Sequence, residues 1–491
     1  MMHFTDLPLG ERPKGRWALS ADWIVTDTDQ GRRLVHKGEV VIENDRVLFV
    51  GQRFEGAVSA RFDMGASLIA PGFVDLDALS DLDTTLLAHD NWPSERKGRV
   101  WPQSYIDRGP YEMYDAEELA FQKRFAFGQL LLNGITSAAP IASLFYRAWG
   151  ETQAEFTAAA DAAEDLGLRV WLGPAYRSGG MVVDDDGKMR ATFDEARGMQ
   201  GLQEAITFAE KIQGRELVSP ILAPDRVETC TETLLKRTMA AADDLDCPVR
   251  LHMAQGQMEL QTVQGLHGKT APEWLSEIGC LSPRLLAPHA TVATDADLQR
   301  YADMGVNVVH CPLVSARHGG ALRSFSKLKA MGINIAMGTD TAPPDMVLNM
   351  AVGMMACRLV DGHTSVQSSE MYDAATVQGA QALGRNDIGV LRVGGKADLA
   401  VFDMADTGMA PRIDPIQTLI LGATGRVTRA TIVDGRLSMR DGEVAGIDMK
   451  AARVQAQAQF DRLLTRYPER TLGHPALSEM FPPSFPLMNG A

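Results

Sequence analysis

The sequence predicts an α/β fold, a TIM (β/α)8 barrel joined to a small β-sandwich made from both chain ends. Three observations carry that expectation. Both ends read as short alternating strands with tight turns. The middle alternates eight apolar strands with helical segments, and histidine or aspartate stands at the end of several predicted strands.

The ends come first. From Trp17 to about Phe62, WALSADWIVTDTD and GEVVIENDRVLFVG are alternating apolar runs joined by polar turn residues, the pattern of an antiparallel meander. From about Gly389 the style returns in GGKADLAVFDM and RVTRATIVDGRLSMRDGEV, with a tight turn at Asp434-Gly435. Residues 1–66 and 387–447 are therefore expected to build the small β domain, with a large domain over 67–386 inserted between them. At 491 residues there is room for both, since such a barrel takes about 250 residues or more.

The expected barrel strands are SLIAPGFVDLDA (67–78), GITSAAP (134–140), LRVWLGP (168–174) and LVSPILAP (217–224), then PVRLHMA (248–254), LLAPHAT (285–291), VNVVHCP (306–312) and INIAMGTD (333–340). Segments of helical period such as AEELAFQKRFAFGQLLLNG lie between them, which favours a closed parallel barrel over an open sheet. No G-x-G-x-x-G follows a strand and no P-loop occurs, so a nucleotide fold has no support. Residues 448–491 predict an amphipathic helix, AARVQAQAQFDRLLTRY, and a proline-rich tail.

The formal net charge of −15 argues against nucleic acid or an anionic membrane as a partner. Five scattered cysteines with no C-x-x-C pair argue against structural disulfides and a thiolate zinc site. The N-terminus has no apolar signal region, and no apolar stretch is long enough to span a bilayer. A soluble, cytoplasmic protein acting on a small molecule is expected.

In a barrel, chemistry gathers at the C-terminal ends of strands. Strand one ends in Asp75 and Asp77, with Asp81 and Asp83 close behind; strands five to eight end in His252, His289, His310 and Asp340. Imidazole and carboxylate bind a borderline divalent ion such as zinc, which makes bound water acidic. Asp340 suits the general base, and His289 and His252 complete the expected catalytic set. After strand one, a long polar and aromatic loop with Trp92, Trp101, Tyr105 and Arg108 has the character of a lid. After strand three, Tyr176 and Arg177 are expected over the mouth, where an arginine fits an anionic substrate group or a salt bridge to the strand-one loop. Arg317 and His318 carry the same two readings.

The motifs PGFVDLDA, LHMAQ, APHATVATDADL, VHCPLVSARHG and MGTDTAPPD, in that order, resemble the amidohydrolase superfamily, and within it the cytosine/guanine deaminase and triazine-hydrolase branch. The resemblance runs from about Trp17 to Glu443. It implies that His252 is a metal ligand, that His289 contacts the reactive water or substrate, and that Asp340 shares metal binding with proton transfer. It sets His310 beside the substrate pocket. Departures stand beside these matches. Where the family has His-x-His, this chain has Asp77-Ala78-Leu79; Gln255 replaces a proton-shuttling glutamate, and Val292 replaces a second histidine.

The resemblance thus implies a metal cradle of Asp77, His252 and Asp340 for one divalent ion, with zinc preferred and manganese or iron admitted. His310, Arg177, Tyr176 and Gln255 are the expected substrate-binding residues, and the family and the tail suggest a homodimer. The expected function is hydrolysis of a non-peptide C–N bond in a small molecule, by a deaminase or an amide or amine hydrolase. A metal-free acid/base enzyme on the same residues and a catalytically silent binding relative are the alternatives.

Overall fold

The computed structural model describes residues 3–82, 85–86, 100–141, 144–322, 325–486 and 488. It is a mixed α/β fold. Asp83 and Trp92, both singled out above, lie outside the described residues.

The chain ends form one nine-stranded sheet. Its N-terminal strands are β1 (Arg16–Thr28), β2 (Gly31–Glu43), β3 (Arg46–Gly51), β4 (Ala60–Asp63) and β5 (Ser67–Pro71). The strand expected over 67–78 is in fact two. It breaks at Gly72, where a Cβ would stand 2.1 Å from the Thr136 side chain, so only glycine lets the backbone cross there. Its first half is β5, which takes the small sheet past the expected boundary at residue 66. Its second half is β6 (Phe73–Ala78), the first strand of the parallel layer.

That parallel layer continues with β7 (Ile135–Pro140), β8 (Arg169–Leu172) and β9 (Val218–Pro220). A second four-stranded sheet holds β10 (Val249–Arg250), β11 (Leu285–Pro288), β12 (Asn307–His310) and β13 (Ile335–Met337). Contacts at both edges join these sheets. A parallel bridge pairs Leu222 with Val249 beyond β9, and at the other edge Asp340 N–H donates to Asp77 O at 2.6 Å. Helices such as Ala116–Leu132, Gln153–Leu166 and Glu232–Leu245 connect successive strands, started by the side-chain caps of Asp115, Thr152 and Thr231. Alternation along the strands then separates two cores. Val249, Leu251, Val308 and Ile335 pack against helices, while Trp171, Leu286, Val309 and Ala336 pack together on the opposite face.

The C-terminal strands are β14 (Leu399–Asp403), β15 (Thr428–Val433), β16 (Arg436–Arg440) and β17 (Glu443–Val444). β14 pairs antiparallel with β5 and so sews the two chain ends together. Trp17, Leu19, Ile42, Phe62, Val401 and Ile432 fill the inside of the sheet. Beyond it, the helix Met449–Arg466 forms as expected. The tail then folds back on its own chain, with Tyr467 and Met480 packing on Leu86, Met113 and Tyr146.

The small sheet is locked to β8 by charge. Arg169, buried, donates to both oxygens of Asp398 at 2.8 and 3.1 Å and to Asp434 at 3.0 Å, and Lys396 also donates to Asp434 at 2.7 Å. Burial alone raises the Asp434 carboxyl, but Lys396 and Arg169 overcome it and hold it far below the carboxylate range. A depressed carboxyl stabilises the fold above its unfolded pKa, near 4, and loses that contribution as pH falls. Replacing Arg169 with Met takes the cation from buried Asp398 while Lys396 still serves Asp434, and is expected to cost about 3 kcal/mol at neutral pH. Denaturant unfolding between pH 7 and 3 checks this, because the variant should lose less stability on acidification than the wild type.

Candidate active site

At the C-terminal ends of the parallel strands, four donors converge. One ligand-capable atom from each of Asp77, His289, Cys311 and Asp340 lies within 4.8 Å of the others, and all four residues are buried. Backbone geometry aims two of them. His289 (φ 81°) and Asp340 (φ 59°) both sit in the left-handed region, as do Ala254 and Ala290. Non-glycine residues adopt that conformation at a cost, and such residues cluster where function holds them.

Asp77 is enclosed. Its Oδ2 lies 3.4 Å from His252 Nε2 and accepts from the Cys311 thiol at 3.7 Å, while its Oδ1 has no hydrogen-bond partner among the described residues and faces Arg250 Nη1 at 3.6 Å. Burial pushes this carboxyl up, but His252, Arg250 and His289 outweigh it and hold it below the usual range. Asp340 goes the other way, raised first by burial and then by the negative charge of Asp77. Burial also takes His289 well below the ordinary imidazole value, so its ring is neutral; neither nitrogen is hydrogen-bonded among the described residues, and Nε2 lies 3.5 Å from Asp340 Oδ2. Two neighbouring carboxyls pushed in opposite directions beside a neutral imidazole are the arrangement that divides acid and base duties. Asp75 completes the floor, accepting from Thr339 N–H and Oγ1 at 3.0 and 2.6 Å; burial raises it to about 7.

His252 belongs to this group, its ring centroid 5.4 Å from that of His289. However, the tightest donor set contains His289 and Cys311 in its place, which differs from the expected trio of Asp77, His252 and Asp340. Gln255 stands at the rim. Its side-chain oxygen accepts from Arg226, which also donates to Glu228 at 2.8 Å.

Two expected substrate contacts are not brought here. His310 faces the helix layer, with Nε2 3.8 Å from Cys357 Sγ and its ring 6.2 Å from Phe325. Side chains alternate along a strand, so Cys311, which shares the inner face with Val309, enters the site instead. Tyr176 likewise turns outward to bond Thr238 at 2.9 Å. Arg177 does stay near the strand ends, stacked 4.6 Å from Trp101 and 5.6 Å from Trp149, with Nε and Nη2 unpartnered among the described residues and its pKa pushed by burial down to about 10. The loop that carries it is a hairpin, Gly179–Val183 with Met189–Phe193, flanked by Trp101–Pro102. Arg317 bonds Thr341 Oγ1 and Ala342 O and steadies the segment after β13.

Sequence reading missed Cys311 and Arg250. The signal for both was periodicity: Arg250 stands two residues before His252, and Cys311 two after Val309, each pair on one strand face.

The model for the amidohydrolase family matches residues 80–438, most of the chain. The chain belongs to the amidohydrolase family. It is thus a hydrolase of non-peptide carbon–nitrogen bonds in a small molecule, as the sequence predicts. The 5'-deoxyadenosine deaminase of Methanosarcina mazei is 25% identical over 450 residues, 90% of this chain and 97% of that relative. The 5-methylthioadenosine/S-adenosylhomocysteine deaminase of Halobacterium salinarum is 28% identical over 439 residues, 88% of this chain and 95% of that one. Among solved structures, an adenosine deaminase from Xanthomonas campestris with bound zinc superimposes with a TM-score of 0.76 at 20% identity, over 93% of this chain and all of that one.

The two orientations above set a direct comparison. Tyr176→Phe should lower stability by about 1 kcal/mol through its lost hydrogen bond and leave kcat/KM within about threefold. His289→Asn should lower kcat by about 100-fold or more. Steady-state kinetics on the two variants reads the difference.

Proposed function

We propose that this family member is a hydrolytic deaminase of a small heterocyclic amine. It would work at the mouth of a closed (β/α)8 barrel, to which the sheet of the two chain ends adds a sandwich domain. The convergence of Asp77, His289, Cys311 and Asp340 carries this reading, because it gathers proton acceptors and a neutral imidazole at the strand ends. The relatives that deaminate 5'-deoxyadenosine and methylthioadenosine support a 6-aminopurine nucleoside as the substrate class to test first.

The residues fit a divalent ion. Among the described residues, both nitrogens of the buried His289 and one oxygen of Asp77 lack hydrogen-bond partners, so donors stand ready for a ligand. Asp77, His289 and Asp340 would hold it with Cys311 at the edge, and His252 is the alternative imidazole. When bound, such an ion supplies Lewis acidity that lowers the pKa of the reacting water. The chain's own residues do the rest. Asp340, which burial and Asp77 push toward its neutral form, would be held ionised by a divalent charge beside it. It could then accept a proton from the water as the water oxygen adds to the amine-bearing carbon. His289, 3.5 Å from that carboxylate, stabilises the charge that develops on the substrate. Asp340 then returns the proton to the departing nitrogen; a C–N bond is exchanged for a C–O bond and ammonia leaves. Arg177, with two unpartnered donors among tryptophans, suits a polar or anionic substituent remote from the reacting carbon.

One observation favours an acid/base site working without an ion: a buried cation, Arg250, already neighbours Asp77 where the family has a histidine pair. Ammonia release from 5'-deoxyadenosine, methylthioadenosine and adenosine tests the main reading. At least one should be turned over, and Asp340→Asn should cut kcat by about 100- to 10,000-fold. Release unchanged in that variant would contradict the assignment, and turnover that survives exhaustive chelation would favour the ion-free form.

A further inference from the structure

Arg250 has no part in the proposed chemistry, yet it is placed beneath it. It lies on β10 two residues before His252. Val249, Leu251 and Met253 pack outward against helices, so Arg250 and His252 share the inner face. Its side chain is 2% exposed, beside an Asp77 with none. Nη1 donates to Pro140 O at the end of β7, across the interior, and Nε has no partner among the described residues. The guanidinium therefore sits between strands one, two and five, 3.6 Å from Asp77 Oδ1. On the other side of Asp77, where a second strand-one donor would stand, the buried Leu79 belongs to the outer apolar core.

A buried carboxylate must be compensated, because removing its charge from water costs several kcal/mol. Asp77 could obtain that compensation from a divalent ion, but a fixed guanidinium already supplies part of it. An arginine stays charged in any protein environment, so this positive charge cannot be withdrawn when an ion arrives. Two cations facing the same carboxylate in a dry interior repel each other.

We infer that Arg250 is a built-in counter-cation of Asp77 that sets the divalent-ion affinity of the site, making it a weak and exchangeable binder. The inference rests on reading Asp77, His289 and Asp340 as the cradle. It also gives a physical reason for the lost strand-one histidine: a site that carries its own positive charge needs fewer ligands to hold its carboxylates ionised.

Equilibrium binding of zinc to the full chain, by competition with a chromophoric chelator, tests it. Arg250→Met removes the charge and keeps the bulk, and should bind one zinc about tenfold or more tightly than the wild type; Arg250→Lys keeps the charge and should stay within about threefold of it. If Arg250→Met does not fold, as judged by circular dichroism, Arg250→Gln carries the same expectation. A neutral variant that binds zinc no more tightly than the wild type overturns the inference. His289→Asn in the Arg250→Met background separates the two claims. Loss of the gained affinity supports both. Tight binding that survives this second change means the ion lies outside the cradle, which overturns that reading and the inference resting on it. Binding that responds to His289→Asn but not to neutralising Arg250 leaves the cradle standing and overturns the inference about Arg250.

Discussion

Asp77 is a carboxylate with no exposure to solvent, and an ionised group in that position must be surrounded by compensation. Arg250 and His252 lie within 3.6 Å of its oxygens, and the Cys311 thiol bonds one of them. Asp340, forced to share the space, is driven toward its neutral form by burial and by Asp77 itself. The backbone follows the same demand. Asp340 N–H bonds Asp77 O, so the link that fastens β13 to β6 also sets the two carboxyls side by side.

A second buried cluster shows the contrast between holding and reacting. Arg169, Asp398, Asp434 and Lys396 are also enclosed charges, but their hydrogen bonds are made, and they join the small sheet to the parallel layer. The strand-end cluster leaves His289, Asp77 Oδ1 and Arg250 Nε unsatisfied. Unsatisfied buried polar atoms cost stability, and a fold retains them where a ligand completes the set.

The eight parallel strands were legible in apolar runs and turn residues, and the two-ended sheet in the likeness of the chain ends. The break at Gly72 was not, because continuous burial of 67–78 reads as one strand whichever sheet it serves. Among site residues, Asp77, His252, His289 and Asp340 were legible as polar strand ends and are gathered in one place. His310 and Tyr176 turn toward the helix layer, because strand parity and not residue type decides which side chains face inward. The contribution of Cys311 depends on which of two adjacent side chains turns inward, and the left-handed backbone at His289 and Asp340 breaks simple alternation altogether. The segment from Trp101 and the hairpin after strand three depend on tertiary packing, such as Trp101 against Arg177, that no local pattern encodes.

The central claim is that these strand ends direct water to a carbon bearing an amine. Turnover of an aminopurine nucleoside in 18O-labelled water tests this most directly. The product should carry one labelled oxygen at the former amine carbon, with one ammonia released per turnover. Ammonia formed without label in the product, or product formed without ammonia, would contradict it.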